Sequence, residues 1–370
     1  MTKKILFIVN VDWFFISHRL PLALESLKKG YEVHVACGIT DKKNHLESLG
    51  IKVYPLRLSR SGTGVIVELK AFREMYQALK EINPDISHFI TIKPVLYGGI
   101  ASRFLNISKK VFSISGLGFI FIKQGLKAII VRTIIKTLYG FAFGGKNSHV
   151  IVQNPDDRNI VNSIKNVPVT LIRGSGVDLS QYNYLEENNQ NIKIFMACRL
   201  LKDKGVFEYI EAIKILKNRS INVNFELFGD IDIHNPASLT YNDLEDIKKE
   251  GLVKVIGFSS DITSVFSSAN IVVLPSYREG LPKVLIEAAA CGRAIVTTDV
   301  PGCRDAIEPD ITGLLCKVKD ANSLANAIER LILDKELRNS MGKLGRELAE
   351  KHFDINHVVK KHFDIYEGVL

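Results

Sequence analysis

The stretch "NIVVLPSYREGLPKVLIEAAACGRAIVTTD", Asn270 to Asp299, decides the fold. It opens on an apolar, β-branched run (270–276), passes through Gly280-Leu281-Pro282, continues with helix-like spacing and closes on a second run, "AIVTTD" (294–299). Short apolar runs without polar alternation suit strands buried on both faces, and a strand–helix–strand unit pairs its strands in parallel with a right-handed crossover. Pro282 fits the first helical turn, where its missing N–H costs nothing. The N–H groups of Gly280, Leu281 and Lys283 then point out of the helix start, where the dipole favours an anion such as phosphate. Glu279 in the same place needs donors instead, and sugar hydroxyls supply them. Glu287, about one and a half turns into the helix, is suited to the hydroxyls of a ribose. Read blandly, Glu279 is a helix-start acid and Glu287 a surface residue. Ile286 and Ala288–Ala290 around Glu287 favour a buried, ligand-paired acid.

The same rhythm runs along all 370 residues, a length that suggests two domains. In the first half the strand candidates are "KILFIVN" (4–10), "YEVHVAC" (31–37), "IKVYPLR" (51–57), "DISHFI" (85–90), "KKVFSIS" (109–115), "HVIVQN" (149–154) and "VTLIRG" (169–174). The segment 65–82 between two of them has apolar residues at three- and four-residue steps, as a helix requires. The polar "QYNYLEENNQN" (181–191) breaks the series and reads as a linker. A second series follows: "KIFMAC" (193–198), "NVNFELFGD" (222–230), "LVKVIGF" (252–258), the runs 270–276 and 294–299, and "GLLCKV" (313–318). These imply an α/β architecture of two Rossmann-like domains, 1–180 and 192–345, facing a central cleft, with a C-terminal helix (346–370) packing back on the first. Ligands of such sheets sit outside the carboxyl ends of the strands.

Composition is that of a globular protein, 46% hydrophobic and 24% charged. Cysteines 37, 198, 291, 303 and 316 are scattered, without a C-x-x-C pair, and suit reduced thiols rather than a disulfide framework or a zinc site. The N-terminal "MTKKILFIVNVDW" lacks a small-residue cleavage site and reads as a buried strand rather than a signal peptide. No run reaches the ~20 apolar residues of a membrane span.

The net charge of +9 is concentrated. Ile86 to Pro155 contains no Asp or Glu but nine basic residues, so the remainder is neutral. Within it, "IKQGLKAIIVRTIIKTLYGFAF" sets Lys123, Lys127, Arg132 and Lys136 beside Leu126, Ile129, Ile130, Ile134 and Leu138. That pattern fits either a helix with a solvated basic face or one lying on an anionic membrane, and the acid-free block favours the membrane. Nucleic acid fits poorly, since aromatics are not interleaved with the charges.

Arg199 and Lys204 follow the strand 193–198 directly. Two cations there can clamp a diphosphate, Arg as a fork and Lys as a point charge; in a loop they can equally be solvated. Gly229 ends the strand of "FELFGDID" and would let a ligand approach the backbone. Asp230 and Asp232 have the look of a metal-binding D-x-D, but an acid-rich turn explains them better, and no metal is expected.

Taken together, these motifs resemble the retaining glycosyltransferases of family 4. Glu279 and Glu287 match the family's E-x7-E, and Arg199 and Lys204 its R-x4-K. "FISHRLPLA" (15–23), "HFITIKPVLYGG" (88–99) and "SISGLGFIF" (113–121) look like a bacterial subgroup that builds O-antigen, capsule or lipid-linked glycans. The resemblance implies the GT-B arrangement and transfer with retention. It implies that Arg199, Lys204 and the backbone of Gly280, Leu281 and Pro282 hold the donor diphosphate, Glu287 the ribose and Glu279 the transferred sugar. His88, placed after a strand 85–87, matches the histidine that contacts the donor sugar near the reacting carbon. One departure stands out: relatives carry a glycine-rich loop after the first strand, whereas this chain has "NVDWFFISHR" (10–19). Phe14 and Phe15, with His18 and Arg19, are therefore the acceptor-side candidates. The expected donor is a UDP-linked hexose or N-acetylhexosamine and the acceptor a lipid-linked saccharide, with no cofactor, at the inner face of the plasma membrane. An epimerase or hydrolase of the same fold, or a non-catalytic sugar-nucleotide sensor, are the competing readings.

Overall fold

The computed structural model describes all residues except 1, 59–63, 106, 118–124, 188–190, 234, 260 and 369–370. The chain divides into two compact units, 1–175 with 356–370, and 176–355. The first is a parallel sheet of seven strands: β1 (Lys4–Val11), β2 (Glu32–Gly38), β3 (Lys52–Pro55), β4 (Ile86–Ile90), β5 (Lys109–Ile114), β6 (Ser148–Val152) and β7 (Val169–Leu171). Its helices are α1 (Asp12–Lys28), α2 (Lys43–Ser48), α3 (Val65–Ile82), α4 (Gly99–Ser102), α5 (Leu126–Ala142) and α6 (Pro155–Ile164). The second unit holds β8 (Lys193–Ala197), β9 (Asn224–Phe228), β10 (Lys254–Gly257), β11 (Ile271–Leu274), β12 (Ala294–Thr298) and β13 (Gly313–Cys316). Around them lie α7 (Val206–Asn218), α8 (Tyr241–Glu250), α9 (Ile262–Ser268), α10 (Lys283–Ala290), α11 (Ala321–Leu333) and α12 (Lys335–His352); the last helix, α13 (Ile355–Glu367), belongs to the first unit apart from its opening residue.

All thirteen strand expectations correspond to observed strands. The sheet orders are β3-β2-β1-β4-β5-β6-β7 and β10-β9-β8-β11-β12-β13. Each order reverses once, between β1 and β4 and between β8 and β11, and those switch points are where open α/β sheets take ligands. In β1 the two-residue period sorts the side chains: Ile5, Phe7 and Val9 enter the core on one face, Leu6 and Ile8 that on the other. Helices must therefore cover both faces, and α13 supplies Val358, Phe363 and Tyr366 to the face of Phe7.

Three expectations need correction. No loop follows the first strand: β1 ends at Val11 and α1 starts at Asp12. Asp12 is buried, its carboxylate accepting from the backbone N–H of Trp13, Thr40 and Lys42 and from the Thr40 hydroxyl, which fixes the helix start without glycine. Segment 181–191 is no free linker, for Tyr182 is buried and Glu187 accepts at 2.8 Å from Arg338 and 2.6 Å from Asn270. Finally, the division falls after Ser175 rather than 180, and only α13 returns, while α12 stays with the second unit. Val177 accounts for the boundary: its N–H donates to Phe353 and its carbonyl accepts from Ile355, so the chain enters the unit beside the point where it leaves.

Candidate active site

The second unit's switch point is built by two loops laced together. After β8, Cys198 and Arg199 lead into a short 3-10 turn, Lys202–Lys204, closed by Gly205 at φ +77. A side chain there would lie 2.3 Å from the Pro275 carbonyl oxygen, so glycine is what allows this turn to approach the loop after β11. That second loop is tied back by the Tyr277 N–H to Asp203 at 2.9 Å and by the Glu279 N–H to Pro301 at 3.1 Å. Lys204 and Glu279 consequently meet as an ion pair, only 16% and 14% exposed. Burial works to lower the Lys204 pKa, but the charge and hydrogen bond of Glu279 outweigh it, and the ammonium titrates above the ordinary lysine range. Arg199 is more open, 43% exposed, with Nη1 3.1 Å from Asp232. The D-x-D acid is thus engaged with the arginine, and the Asp230 carbonyl accepts from the Leu200 N–H at 3.0 Å. Among the described residues no group of three or more His, Cys, Asp or Glu side chains is placed to hold a metal ion.

Helix α10 begins at Lys283 with Pro282 as its N-cap, one position before the expected first turn, and Gly280 and Leu281 lie directly ahead of it. Glu287 is 7% exposed. Its carboxylate accepts from the Tyr182 hydroxyl at 2.7 Å and pairs with Lys283 at 3.3 Å, one helical turn back. The two glutamates are therefore held differently, Glu279 by a cation of the facing loop, Glu287 by a phenol and its own helix. Gly229 has a packing role: at φ +128, a side chain would lie 1.8 Å from the Cys198 carbonyl oxygen. Burial pushes the Cys198 and Cys303 thiols beside this loop up to about 12, so neither supplies a thiolate nucleophile.

In the first unit the structure redistributes the expected roles. His88 lies in the middle of β4, not after a strand, and is fully buried. Its Nδ1 is 2.6 Å from the Tyr366 hydroxyl and its Nε2 2.6 Å from Ser113 Oγ. With both nitrogens engaged inside the core, it is a core histidine and does not present a nitrogen to a sugar. Burial lowers its pKa well below the ordinary value, helped by His362 and Arg19. Arg19 and Phe15 likewise belong to the buried face of α1, and burial lowers Arg19 to about 10, slightly offset by Tyr366. These two are withdrawn as acceptor contacts. Phe14 and His18, one turn apart on another face, stack with centroids 4.1 Å apart. Phe14 also lines a cavity of about 210 Å³ at the β1–β4 switch point, with Asn10, Thr91, Val95, Ser115 and Tyr139. The cavity residues Asn10, Thr91 and Ser115 lie in the stretches 10–19, 88–99 and 113–121 but were given no role of their own, and Tyr182, Asp232 and Tyr366 reach their partners across 105, 33 and 278 residues, a distance no spacing rule reports.

The basic stripe is only partly visible. Lys123 lies outside the described residues, as does the side chain of Lys127. Arg132 and Lys136 are half-buried, while Ile129, Ile130, Val131, Ile134, Leu138 and Phe141 on the same helix are exposed. Helix α5 therefore packs Ile135 and Tyr139 inward and turns these six other apolar residues outward, so its exposed face is not a purely basic one. Among the described residues no helix is long and apolar enough to cross a membrane.

Comparison with known proteins accounts for this geometry. The family models "Glycosyl transferases group 1" and "Glycosyl transferase 4-like" match residues 181–348 and 4–154. A Campylobacter jejuni protein, named N,N'-diacetylbacillosaminyl-diphospho-undecaprenol alpha-1,3-N-acetylgalactosaminyltransferase, is 30% identical over 378 residues, covering 96% of this chain and 98% of that one. The chain belongs to glycosyltransferase family 4. This glycosyltransferase is also 27% identical, over 82% of its length and 80% of the relative's, to an Escherichia coli protein named UDP-Gal:alpha-D-GlcNAc-diphosphoundecaprenol alpha-1,3-galactosyltransferase. Its fold matches that of a sucrose-phosphate synthase from Thermosynechococcus elongatus with a TM-score of 0.80 at 19% identity, covering 100% of this chain and 99% of that one, which fixes the GT-B fold.

Proposed function

We propose that this glycosyltransferase moves a hexose or N-acetylhexosamine from a UDP-linked donor, with retention, to a lipid-linked saccharide in bacterial glycan assembly. The observation that carries this is the Lys204–Glu279 pair with Arg199 beside it, at the mouth of α10. A diphosphate that takes Arg199 and Lys204 from their carboxylates frees Glu279 to accept hydroxyls of the transferred sugar, and Glu287 beyond it faces the ribose. The acceptor hydroxyl attacks the anomeric carbon from the face the diphosphate leaves. The new carbon–oxygen bond forms as the bond to the phosphate oxygen breaks, and the hydroxyl proton passes to the departing phosphate. The two cations offset the charge that develops there, so neither a side-chain base nor a metal is required. The lipid-linked acceptor and UDP donor are supported by the substrates named for the Escherichia coli relative, and the acceptor also by those of the Campylobacter one.

The exposed apolar face of α5 supports a peripheral site on an anionic membrane, where such an acceptor resides: Ile130 and Ile134 enter the headgroup boundary while Arg132 and Lys136 reach its phosphates. Screening UDP-sugars against polyprenyl-diphosphate saccharides by mass spectrometry, with the anomeric configuration read by NMR, tests the reaction. An inverted product, or turnover abolished by a chelator and restored by a divalent cation, would refute the retaining, metal-free mechanism. Sedimentation with anionic vesicles tests the surface: Ile130→Ser with Ile134→Ser should release the protein, and retained binding would leave α5 without this role.

A further inference from the structure

Tyr182 stands in the polar stretch that the sequence presents as a linker, yet the second unit builds around it. Just before it, the Asp178 carboxylate accepts from the Ser180 N–H at 3.0 Å, the Ser180 hydroxyl at 2.6 Å and the Gln181 amide at 2.8 Å. The Asp178 carbonyl takes the Tyr182 N–H at 3.1 Å, closing a local turn of the kind aspartate favours. Three arginines then hold the residues from Tyr182 to Glu187. Arg346 donates to the Tyr182 carbonyl at 2.6 Å and to the Ala290 carbonyl at 2.7 Å. Arg293 donates to the Leu185 carbonyl, and Arg338 holds the Glu187 carboxylate at 2.8 Å. Ala290 is the last residue of α10, so Arg346 ties this strap to the helix that bears Glu287. The Tyr182 ring is buried and meets Phe266 edge-on, with centroids 6.3 Å apart.

What the strap delivers is one hydroxyl. It donates to Glu287 Oε1 at 2.7 Å, and Lys283 Nζ lies 3.3 Å from the same oxygen. Glu287 Oε2 receives no hydrogen bond among the described residues. An ionised carboxylate only accepts, so the lone pairs left on Oε2 fit a pair of donors such as a vicinal diol. Burial, followed by the charge and hydrogen bond of Glu287, raises the Tyr182 pKa far above the ordinary phenol range, so the donor keeps its proton. The terminal torsion of a glutamate is broad, and a carboxylate tied at neither oxygen would lose that freedom on binding a ligand. Tyr182 removes it in advance. We infer that Tyr182 is a positioning residue for nucleoside recognition, locking Glu287 through Oε1 and leaving Oε2 for the diol of the donor ribose. The inference rests on the ribose role proposed for Glu287.

Tyr182→Phe keeps the ring in the core and removes only the hydroxyl. Calorimetric titration of wild type and variant with UDP and with 2',3'-dideoxy-UDP, below the melting temperature of both proteins, separates positioning from packing. Wild type should prefer UDP by roughly ten- to a hundredfold, the worth of hydrogen bonds to a charged acceptor. The variant should bind UDP about tenfold more weakly and dideoxy-UDP as wild type does, so the preference contracts. A merely structural hydroxyl would weaken both ligands alike, and that result, or an undiminished preference for UDP, would overturn the positioning role. In a Glu287→Gln background, Tyr182→Phe should add little further loss of UDP affinity, whereas fully additive losses would overturn the coupling. In turnover the donor KM should rise while kcat and the acceptor KM hold. A wild-type protein that binds both nucleotides equally would refute the ribose role of Glu287 itself, and with it the task assigned to Tyr182.

Discussion

At the β8–β11 switch point the protein places Arg199, Lys204 and Glu279, each charge matched by another. At the β1–β4 switch point it places Asn10, Thr91 and Ser115, without charge, whose Oδ1, Oγ1 and Oγ atoms have no hydrogen-bond partner among the described residues. The two sheets share a topology up to that point, so topology chooses the address and the side chains choose the chemistry. A charged site must be paired while it waits, because an isolated buried charge costs far more than an unpaired hydroxyl. The ionic site therefore looks closed without ligand and the neutral one looks unfinished.

The sharpest break of this comparison lies within α1, where Phe15 packs in the core and Phe14 faces the cavity. Phe15→Ala should cost about 3–5 kcal/mol of stability in urea unfolding, and Phe14→Ala about 1 kcal/mol with a loss in saccharide affinity. Equal costs would mean that both rings are merely core. At the ionic site, Lys204→Ala should lower kcat/KM by about 10²–10³, or roughly 3–4 kcal/mol of transition-state stabilisation. Because this leaves Glu279 buried without its cation, the Lys204→Ala, Glu279→Gln double variant should recover stability but not turnover. Recovered turnover would make the pair structural.

The neutral character of the first unit extends beneath its site, and pH probes it. Burial holds His362 at about 3, helped by Arg19, while its Nδ1 contact with the Val358 carbonyl opposes the shift only in part. A histidine lowered on folding binds its proton more readily in the unfolded chain, so its stabilising contribution is complete above pH ~6.5 and is lost as pH falls. Near pH 5 the loss should be about 2 kcal/mol per buried histidine. Urea unfolding at pH 7 and pH 5 measures it, and His362→Leu should flatten the difference. A similarly small effect is expected at Glu287: Tyr182→Phe removes one donor from a buried carboxylate and should cost about 1–2 kcal/mol, read as lower stability and weaker UDP binding.

Much of this was legible in the residues themselves. The alternation of apolar runs with helical patterns marked every strand, because a parallel strand buried on both faces admits few polar residues, and those only when paired. The helix start at Gly280-Leu281-Pro282 and the cations after β8 were legible too, since strand ends and caps are set by local chemistry. His88, Phe15 and Arg19 were misplaced for one reason: a motif gives the residue type but not the direction in which it points. His88 belongs to the core because α13, 278 residues later, brings Tyr366 against it. The stripe on α5 was visible as a pattern of charges, but which of its faces meets solvent is settled by the helices packed against it.

The sequence by itself determined the two-sheet architecture, the strand ends and the charged residues of the donor-side loop, all products of short-range periodicity and capping. Tertiary structure alone decided that Lys204 holds Glu279, that Tyr182 holds Glu287, and that three unmarked polar residues share one cavity. Those pairings join segments dozens to about a hundred residues apart, and they depend on distances that exist only after both sheets have buried their faces.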